Sequence, residues 1–418
     1  MRKLFYWAFA FSLCVLMGCK DDGVRVEVVR YAINEPVFMS ISEFRNSVKV
    51  TDEVVPITKR GKICFYKDYL YISSPDKGIH IVDNRNPASP RIVGFVELIG
   101  NEDLSIKDDK LYADSYVDLV WFDISDPERP ELEGRVENAF RYALPTIENG
   151  YGFDYNMCYS EEARAKGVVV GWEPKEREET IYHYPSYGGD LMDAAPGTST
   201  QGVNGSMARF SIYGKYLYTV EQNVMCVFDL SGDKPVLTTN DIWLQRDVET
   251  LFNYEDKLFM GTPTGMLIYS LEDPLVPKYR SSVSHVFGCD PVVVEDDLAY
   301  VTVHSGNTCG QNTNELMLID VSDVDQPNLL VTYGMKCPKG LGIDNGTLFL
   351  CDEGLKVFNA KDPMTLLANQ LVHYAGMEGY DVIPFRNTLM MIADDGLYQY
   401  DYSNLQAISQ LSKLPMGE

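Results

Sequence analysis

The stretch KDYLYISSPDKGIHIVDNRNPASPRIVGFVEL, residues 67 to 98, contains one complete structural unit. A turn precedes a short apolar strand with Leu-Tyr, a second strand reads IHIVD, and an Asn-Pro-x-x-Pro turn leads into an alternating strand. Proline fixes φ in such a turn and offers no N–H to a strand ladder, while Asn or Asp bonds its own backbone. Short strands separated by turns at this spacing predict an all-β architecture.

The same unit recurs along the chain. DDKLYADSYVDLVWFDISDPERPELEGRVE begins at Asp108, EDKLFMGTPTGMLIYSLEDPLVPKYRSSVS begins at Glu255, and further copies begin at Gly214, Glu295, Asp344 and Phe385. The anchor leucines, separated by 41, 106, 41, 40, 50 and 41 residues, are Leu70, Leu111, Leu217, Leu258, Leu298, Leu348 and Leu389. A period of about 41 with four strands per unit is typical of propeller blades. We therefore predict a seven-bladed β-propeller over residues 56–418.

The second strands of these units are similar to a known family. Residues 79–83, 119–123 and 316–320 resemble the motif of the LVIVD-repeat family of bacterial and archaeal surface proteins. The resemblance extends over roughly residues 60 to 412. It implies a propeller fold and a surface location, and it implies no particular biochemical activity.

Two intervals depart from the period. The interval of 106 contains about 65 extra residues, roughly 142–207, between the last strand of blade 2 and the first strand of blade 3. The interval of 50 contains about nine extra residues, within 304–315, between the second and third strands of blade 5. Both connections emerge on the same face of a propeller, which predicts a functional face; drift in tolerant loops is the alternative.

The longer insertion is rich in tyrosine. Tyrosine offers rigid contact area with a polar tip, which suits glycan stacking or a protein interface. The alternative is that these rings form the insertion's own small core against the propeller rim. The candidate ligand-binding residues of the insertion are Tyr155, Tyr159, Trp172, Tyr182, Tyr184 and Tyr187.

A second candidate site lies where the innermost strands begin, at the insertion-bearing face. The position eight residues before each anchor leucine carries five charges, three acidic and two basic. We expect them to ring the mouth of the central channel, where they would hold a cation or orient a polar ligand. Alternatively, each charge satisfies the backbone of a neighbouring blade or pairs with an opposite charge. The candidate residues are Lys62, Asp103, Arg209, Thr250, Asp290 and Asp381, and Gly340 occupies the remaining position.

The N-terminus has the features of a lipoprotein signal. MRK precedes about 14 uncharged residues, too few to span a bilayer. LMGC, residues 16–19, resembles the lipobox of bacterial lipoproteins, in which the cysteine (here Cys19) is acylated; a plain signal peptide is the alternative. KDD, residues 20–22, resembles a signal for the outer face of the Gram-negative outer membrane; a tether facing the periplasm is the alternative. We predict a signal peptide over 1–18 and a lipidated extension over 19–55, which tethers the propeller or adds a strand to it.

Composition and the absence of known motifs exclude or disfavour several classes of function. The formal net charge of −25 disfavours nucleic-acid binding. No GxSxG, HExxH, Walker or GxGxxG motif occurs in a suitable context, so no catalytic residue, metal site or cofactor is assigned, although a structural divalent cation is compatible with the acids. We predict a surface-exposed, membrane-anchored scaffold that binds a glycan or protein ligand without catalysis. The alternatives are a carbohydrate-active hydrolase or lyase using channel-mouth carboxylates, and a structural member of an outer-membrane complex.

Overall fold

The computed structural model describes residues 25–59, 61–183, 208–284, 291–304 and 313–416. These residues form seven antiparallel sheets, six of four strands and one of five, and a separate two-stranded ribbon. The innermost strands of successive sheets pack against one another, so the sheets are the blades of a propeller. The predicted all-β, seven-bladed architecture is confirmed.

The elements up to blade 2 and the segment that follows it have these bounds. The N-terminal segment contains β1 (Arg25–Met39), α1 (Ile41–Asn46) and β2 (Lys49–Thr51). Blade 1 contains β3 (Ile63–Tyr66), β4 (Tyr69–Ser74), β5 (Gly78–Asp83) and β6 (Arg91–Glu97). Blade 2 contains β7 (Leu104–Lys107), β8 (Lys110–Ser115), β9 (Asp118–Asp123) and β10 (Glu131–Val136). Between blades 2 and 3 lie α2 (Tyr155–Tyr159), α3 (Glu161–Lys166) and β11 (Val168–His183).

The remaining blades follow in chain order. Blade 3 contains β12 (Phe210–Tyr213), β13 (Tyr216–Glu221), β14 (Val224–Asp229) and β15 (Val236–Trp243). Blade 4 contains β16 (Thr250–Tyr254), β17 (Lys257–Thr262), β18 (Gly265–Ser270) and β19 (Lys278–Ser284). Blade 5 contains β20 (Val292–Glu295), β21 (Leu298–Val303), β22 (Glu315–Asp320) and β23 (Asn328–Gly334). Blade 6 contains β24 (Leu341–Asp344), β25 (Thr347–Cys351), β26 (Leu355–Asn359), a 3-10 helix (Pro363–Asn369) and β27 (Gln370–Tyr374). Blade 7 contains β28 (Gly379–Phe385), β29 (Thr388–Ala393), β30 (Gly396–Asp401) and β31 (Ser409–Pro415). Within the described ranges, no helix is long and apolar enough to cross a membrane.

The repeated unit explains the blades. Every residue of β4 and β5 is buried, as expected for central strands with a neighbouring blade on each face. The anchor leucines are fully buried in six blades, and Leu298 of blade 5 is half-buried. In the turn before the outermost strand, the opening Asn or Asp accepts a backbone N–H two residues on, as at Asn86, Asp126 and Asp273. This is the turn chemistry that the sequence predicts.

The ring closes by packing between blades 1 and 7. In the described chain each blade has four consecutive strands, to which blade 1 adds β2, and no strand is exchanged between blades 1 and 7. The rings of Phe65 and Phe385 stack with centroids 4.5 Å apart, and Gln399 Nε2 donates to Asn84 Oδ1 at 2.8 Å. Ile57, from the N-terminal segment, is fully buried in the apolar cluster shared by the two blades. The junction is therefore held by side chains and covered by the N-terminal segment.

The N-terminal segment joins two sheets. β2 pairs with β6 as the outermost strand of blade 1, so the extension does add a strand. β1 pairs antiparallel with β11 along its whole length, and these two strands form the ribbon. Asn34 and Asn149 exchange side-chain hydrogen bonds of 3.0 and 2.8 Å, and Asn34 Nδ2 also donates to the Tyr151 carbonyl at 2.8 Å. The extension and the segment after blade 2 thus fold together.

Helix α1 attaches this assembly to blade 2. Phe44 is 1% exposed and packs with Tyr116 and Val168. The neighbouring Arg45 donates to the fully buried Asp118, from Nε to Oδ2 at 2.8 Å and from Nη2 to Oδ1 at 3.1 Å. Helix α1 therefore adds both apolar packing and a buried ion pair at the turn between β8 and β9 of blade 2.

The Asp118 carboxylate has further donors. Arg135 Nη1 donates to Oδ2 at 2.9 Å, and the Asn138 N–H donates to Oδ1 at 2.8 Å. The side chains of Arg45 and Arg135 are 19% and 12% exposed. Arg45 also pairs with the exposed Glu137, so removing the Asp118 carboxylate leaves Arg135 without a carboxylate and Arg45 with an exposed partner alone, which is costly for partly buried cations.

Candidate ligand-binding face

Two long connections emerge at one end of the propeller. Strands alternate in direction across each blade, so the connections between blades and the loops between second and third strands share one end. The segment between β10 and β12 and the loop after β21 both belong to this set. We call this end the insertion-bearing face. Residues 305–312 of the loop lie outside the described residues.

The segment between blades 2 and 3 has its own internal structure. Asp154 is the N-cap residue of helix α2, and its Oδ1 accepts the Asn156 N–H at 2.9 Å. The candidate Trp172 donates from Nε1 to the Pro145 carbonyl at 2.8 Å, and its ring packs on Phe153 with centroids 5.1 Å apart. These contacts give Trp172 a supporting position within the segment.

Four aromatic rings lie together on the insertion-bearing face, and we call Tyr142, Tyr155, Tyr159 and Trp243 the ring quartet. Centroid distances are 4.4 Å for Tyr155–Tyr159, 6.0 Å for Tyr142–Tyr159 and 6.1 Å for Tyr142–Trp243. Tyr155 is 57% exposed and Trp243 is 60% exposed. The Tyr159 hydroxyl donates to the Tyr142 carbonyl at 2.8 Å. The quartet is thus one patch with fixed inner rings and two exposed outer rings.

Sequence reasoning missed Trp243. It ends β15, an ordinary outermost strand, and nothing in the repeat spacing marks it. The usable signal was the side-chain type, because tryptophan is enriched at the centres of binding sites. Tyr184 and Tyr187 lie outside the described residues, as does the side chain of Tyr182, whose backbone pairs with Val26 in the ribbon.

At the channel mouth, four acids surround Arg209. Arg209 Nη2 contacts Glu102 and lies 3.6 Å from Asp114 Oδ2, and the Arg209 backbone N–H donates to Asp103 Oδ2. Glu221 interacts electrostatically with the same guanidinium. We call these five residues the Arg209 cluster. The structure therefore brings the predicted Asp103 and Arg209 into contact and adds three acids that the one-position alignment did not consider.

Backbone amides also bind the acids of the Arg209 cluster. Asp114 Oδ1 accepts the N–H groups of Glu102 at 2.7 Å and Asp103 at 3.0 Å. Glu221 Oε2 accepts the N–H of Tyr142 at 3.1 Å, which fixes the start of the segment leaving blade 2. These hydrogen bonds occupy carboxylate oxygens that a ligand or a reacting proton would otherwise use.

Burial changes the protonation of this cluster. It raises the pKa of Asp114 and of Glu221 to about 7, against the opposing effect of Arg209. Burial likewise raises the pKa of Asp103, opposed by the charges of Lys62 and Arg209. Carboxyl groups that titrate near neutrality occur at functional sites and in structural networks alike.

The other predicted channel-mouth residues have varied surroundings. Lys62 is half-buried, whereas Thr250 and Asp381 are 4% and 7% exposed. Asp381 Oδ1 accepts the N–H of Val382 at 2.8 Å, a bond to its own strand. Asp290 lies outside the described residues. In the part of the chain that the structure describes, no group of three His, Cys, Asp or Glu side chains is arranged to hold a metal ion.

A small cleft joins the ring quartet to the Arg209 cluster. Tyr142 of the quartet and Glu221 of the cluster both line it. Arg141 and Asp241 also line it and are joined by a hydrogen bond of 2.7 Å from Nη1 to Oδ2. The cleft is too narrow to enclose a ligand, so it can offer only its polar edge to a ligand that lies on the face.

These features define a seven-bladed β-propeller protein. The chain contains LVIVD repeats: the family model described as LVIVD repeat matches residues 61–97, 102–138 and 290–334, which correspond to blades 1, 2 and 5. The predicted resemblance to LVIVD-repeat proteins is thereby confirmed. No curated protein has a significantly similar sequence.

Solved structures share the fold at low sequence identity. A periplasmic gluconolactonase of Pseudomonas aeruginosa is 11% identical, with a TM-score of 0.52 over 88% of this chain and 97% of that chain. A protein described as a 6-phosphogluconolactonase from Bacteroides uniformis is 11% identical, with a TM-score of 0.50 over 84% of this chain and 99% of that chain. These similarities concern the propeller architecture.

Proposed function

We propose that this propeller is a lipid-anchored protein of the outer-membrane surface that binds a glycan or protein ligand through its insertion-bearing face, without catalysis. The observation that carries the proposal is the exposure of Tyr155 and Trp243 at the two ends of the ring quartet. Tyr142 of the same quartet lines a polar cleft on that face. Large aromatic side chains with a polar rim are the usual energetic centre of a binding site. The membrane anchor would be Cys19, which lies outside the described residues.

The acids at the channel mouth fit a structural task better than catalysis. Asp103 and Asp114 accept backbone N–H groups, and Arg209 neutralises part of their charge. A hydrolase or lyase nevertheless has one observation in its favour, because Asp114 and Glu221, with pKa values near 7, would suit general acid or base roles. The two lactonase structures share the fold at 11% identity, which gives no weight to either function.

Binding and catalysis are separated by measuring both on one protein. We expect the full chain to gain thermal stability with at least one member of a panel of oligosaccharides, mucin and extracellular-matrix proteins, since a ligand bound to the native state raises the unfolding midpoint. We expect no hydrolysis of lactones or glycosides by the same preparation. Turnover that disappears in Asp114→Asn or Glu221→Gln, while the ligand-induced shift remains, would establish the enzyme instead. A panel without any midpoint shift would reject the binding proposal for these ligand classes.

The anchor is tested by Cys19→Ala. The variant should lose labelled palmitate and leave the membrane fraction, and intact cells should lose their protease-accessible protein, because acyl chains supply the membrane affinity. Cys14→Ala is the matched control, since this residue lies in the predicted signal peptide and should be dispensable. Retention of label and membrane attachment in Cys19→Ala would contradict the anchor, and label without protease access would place the protein on the periplasmic side.

A further inference from the structure

The two exposed rings of the ring quartet, Tyr155 and Trp243, each pack against one of the inner rings. The Tyr159 hydroxyl donates a hydrogen bond to the Tyr142 carbonyl, and the Tyr159 ring packs against Tyr155 at an interplanar angle of 42°. Tyr142 packs against Trp243 at 58°. The successive centroid distances of 4.4, 6.0 and 6.1 Å keep the two exposed rings less than 17 Å apart. Tyr155 and Trp243 therefore present fixed apolar surfaces, and little side-chain entropy is lost when a ligand covers them.

The surroundings of the quartet are polar and charged. Arg141 and Asp241 form an ion pair with side chains 50% and 27% exposed, beside the cleft lined by Tyr142. Helix α3, which follows α2 directly, exposes Glu161, Glu162, Arg164 and Lys166. The apolar surface is thus a few rings wide, with hydrogen-bonding groups at its edge.

This arrangement favours a small ligand over a protein surface. A stable protein interface buries about 800 Å² on each partner and has few charged residues at its core. The quartet offers much less apolar area, and charged side chains begin at its border. A pyranose ring matches it better, because one face of the sugar is apolar and its edge carries hydroxyl groups that can bond Arg141 and Asp241.

We infer that the ring quartet is a stacking subsite for a neutral oligosaccharide, an assignment that rests on the proposed binding function and names its ligand class. A neutral sugar is favoured because the charge beside the quartet is nearly balanced: Arg141 is paired with Asp241, and α3 exposes two glutamates together with Arg164 and Lys166. An anionic or a cationic sugar would therefore gain little net attraction from these side chains.

Trp243 is both the binding residue and the reporter. Of the described tryptophans, Trp121 is 5% exposed and Trp172 is half-buried, so collisional quenching by acrylamide reports chiefly on Trp243. The full chain carrying Trp7→Phe, which removes the tryptophan of the predicted signal peptide, would be titrated with short soluble oligosaccharides of neutral hexoses and N-acetylhexosamines. We expect saturable protection from quenching by at least one of them.

The variants decide where the sugar binds. We expect Trp243→Ala to weaken affinity by about tenfold or more, measured by calorimetry, because stacked aromatic contact is lost. Tyr155→Ala should weaken it as well, and Trp243→Phe should retain part of it. Tyr151→Ala is the matched control, an exposed tyrosine of the same segment outside the quartet, and it should bind as the unmodified protein does.

Two results would overturn the subsite. Wild-type affinity in both Trp243→Ala and Tyr155→Ala would place the sugar elsewhere, and the binding function would stand. Absence of binding to every neutral oligosaccharide would reject the ligand class, while the protein members of the thermal panel would still decide the binding function. Equal thermal midpoints of the variants and the unmodified protein would show that a loss of affinity is not a loss of fold.

Discussion

The Asp118→Ala variant should lose about 3–5 kcal/mol of unfolding free energy, the cost of removing one partner from a buried ion pair. The Asp118 side chain is fully buried and binds both Arg45 and Arg135. Its loss leaves Arg135 without a carboxylate and Arg45 with only the exposed Glu137, and it also leaves the Asn138 N–H without this acceptor. Urea denaturation at neutral pH measures the effect through the shift in midpoint at constant slope.

The control for Asp118 is an ion pair on the surface. Arg30 and Glu178 lie 3.0 Å apart on the ribbon, with side chains 77% and 53% exposed. Exposed pairs contribute little, so Arg30→Ala should leave the midpoint nearly unchanged. A midpoint for Asp118→Ala equal to that of Arg30→Ala would show that α1 is not stabilised through this carboxylate.

Arg209→Met should cost about 3–5 kcal/mol at pH 8 and clearly less at pH 5. The substitution keeps apolar length but leaves Glu102, Asp103, Asp114 and Glu221 without their shared cation. At pH 8 these carboxyls must either stay charged and repel one another or take up protons at a free-energy cost. At pH 5 those with raised pKa values are protonated, and most of the repulsion is gone.

The sign of the pH effect follows from proton binding. Unfolded carboxyls have pKa values near 4, whereas burial raises those of Asp114 and Glu221 to about 7 in the folded protein. The folded state therefore binds more protons between these values, and stability falls as pH rises through about 4 to 7. Without Arg209 the folded pKa values rise further, so the loss extends to higher pH.

Urea midpoints measured from pH 5 to pH 8 test this prediction. Lys215→Met is the matched control, because Lys215 pairs with Asp229 at 3.0 Å on an exposed part of the molecule. Adding Glu221→Gln to Arg209→Met should recover stability at pH 8, since one of the repelling charges is removed. A deficit that does not change with pH would mean that Arg209 stabilises through packing and not through charge.

The blades could be predicted because their information is local. Each anchor leucine and apolar strand pair lies within one unit of about 41 residues and recurs in seven units, and every unit except blade 7 also has a proline in its turn. The half-buried Leu298 lies in blade 5, the blade with about nine extra residues between its second and third strands. Buried strands and turn residues of this kind follow from pattern and propensity alone.

The candidate site depended on contacts that the pattern does not contain. Ala32 pairs with Glu176 in the ribbon, and Tyr142 packs on Trp243, although both pairs are distant in sequence. Alignment of one position per blade identified Asp103 and Arg209 but not Glu102, which precedes that position. The partners of a charge are set by three-dimensional neighbours, so the sequence could not decide between a ligand ring and a structural network.

The closure of the ring has an evolutionary consequence. Because the four repeat strands of every blade are consecutive and no blade is shared between the two ends of the described chain, the inherited segment coincides with the structural module. In-frame duplication or deletion of one repeat would add or remove a whole blade and leave the others intact. The number of blades in such a lineage is then limited by how neighbouring blades pack around the axis. A single duplication or deletion would change that number by one.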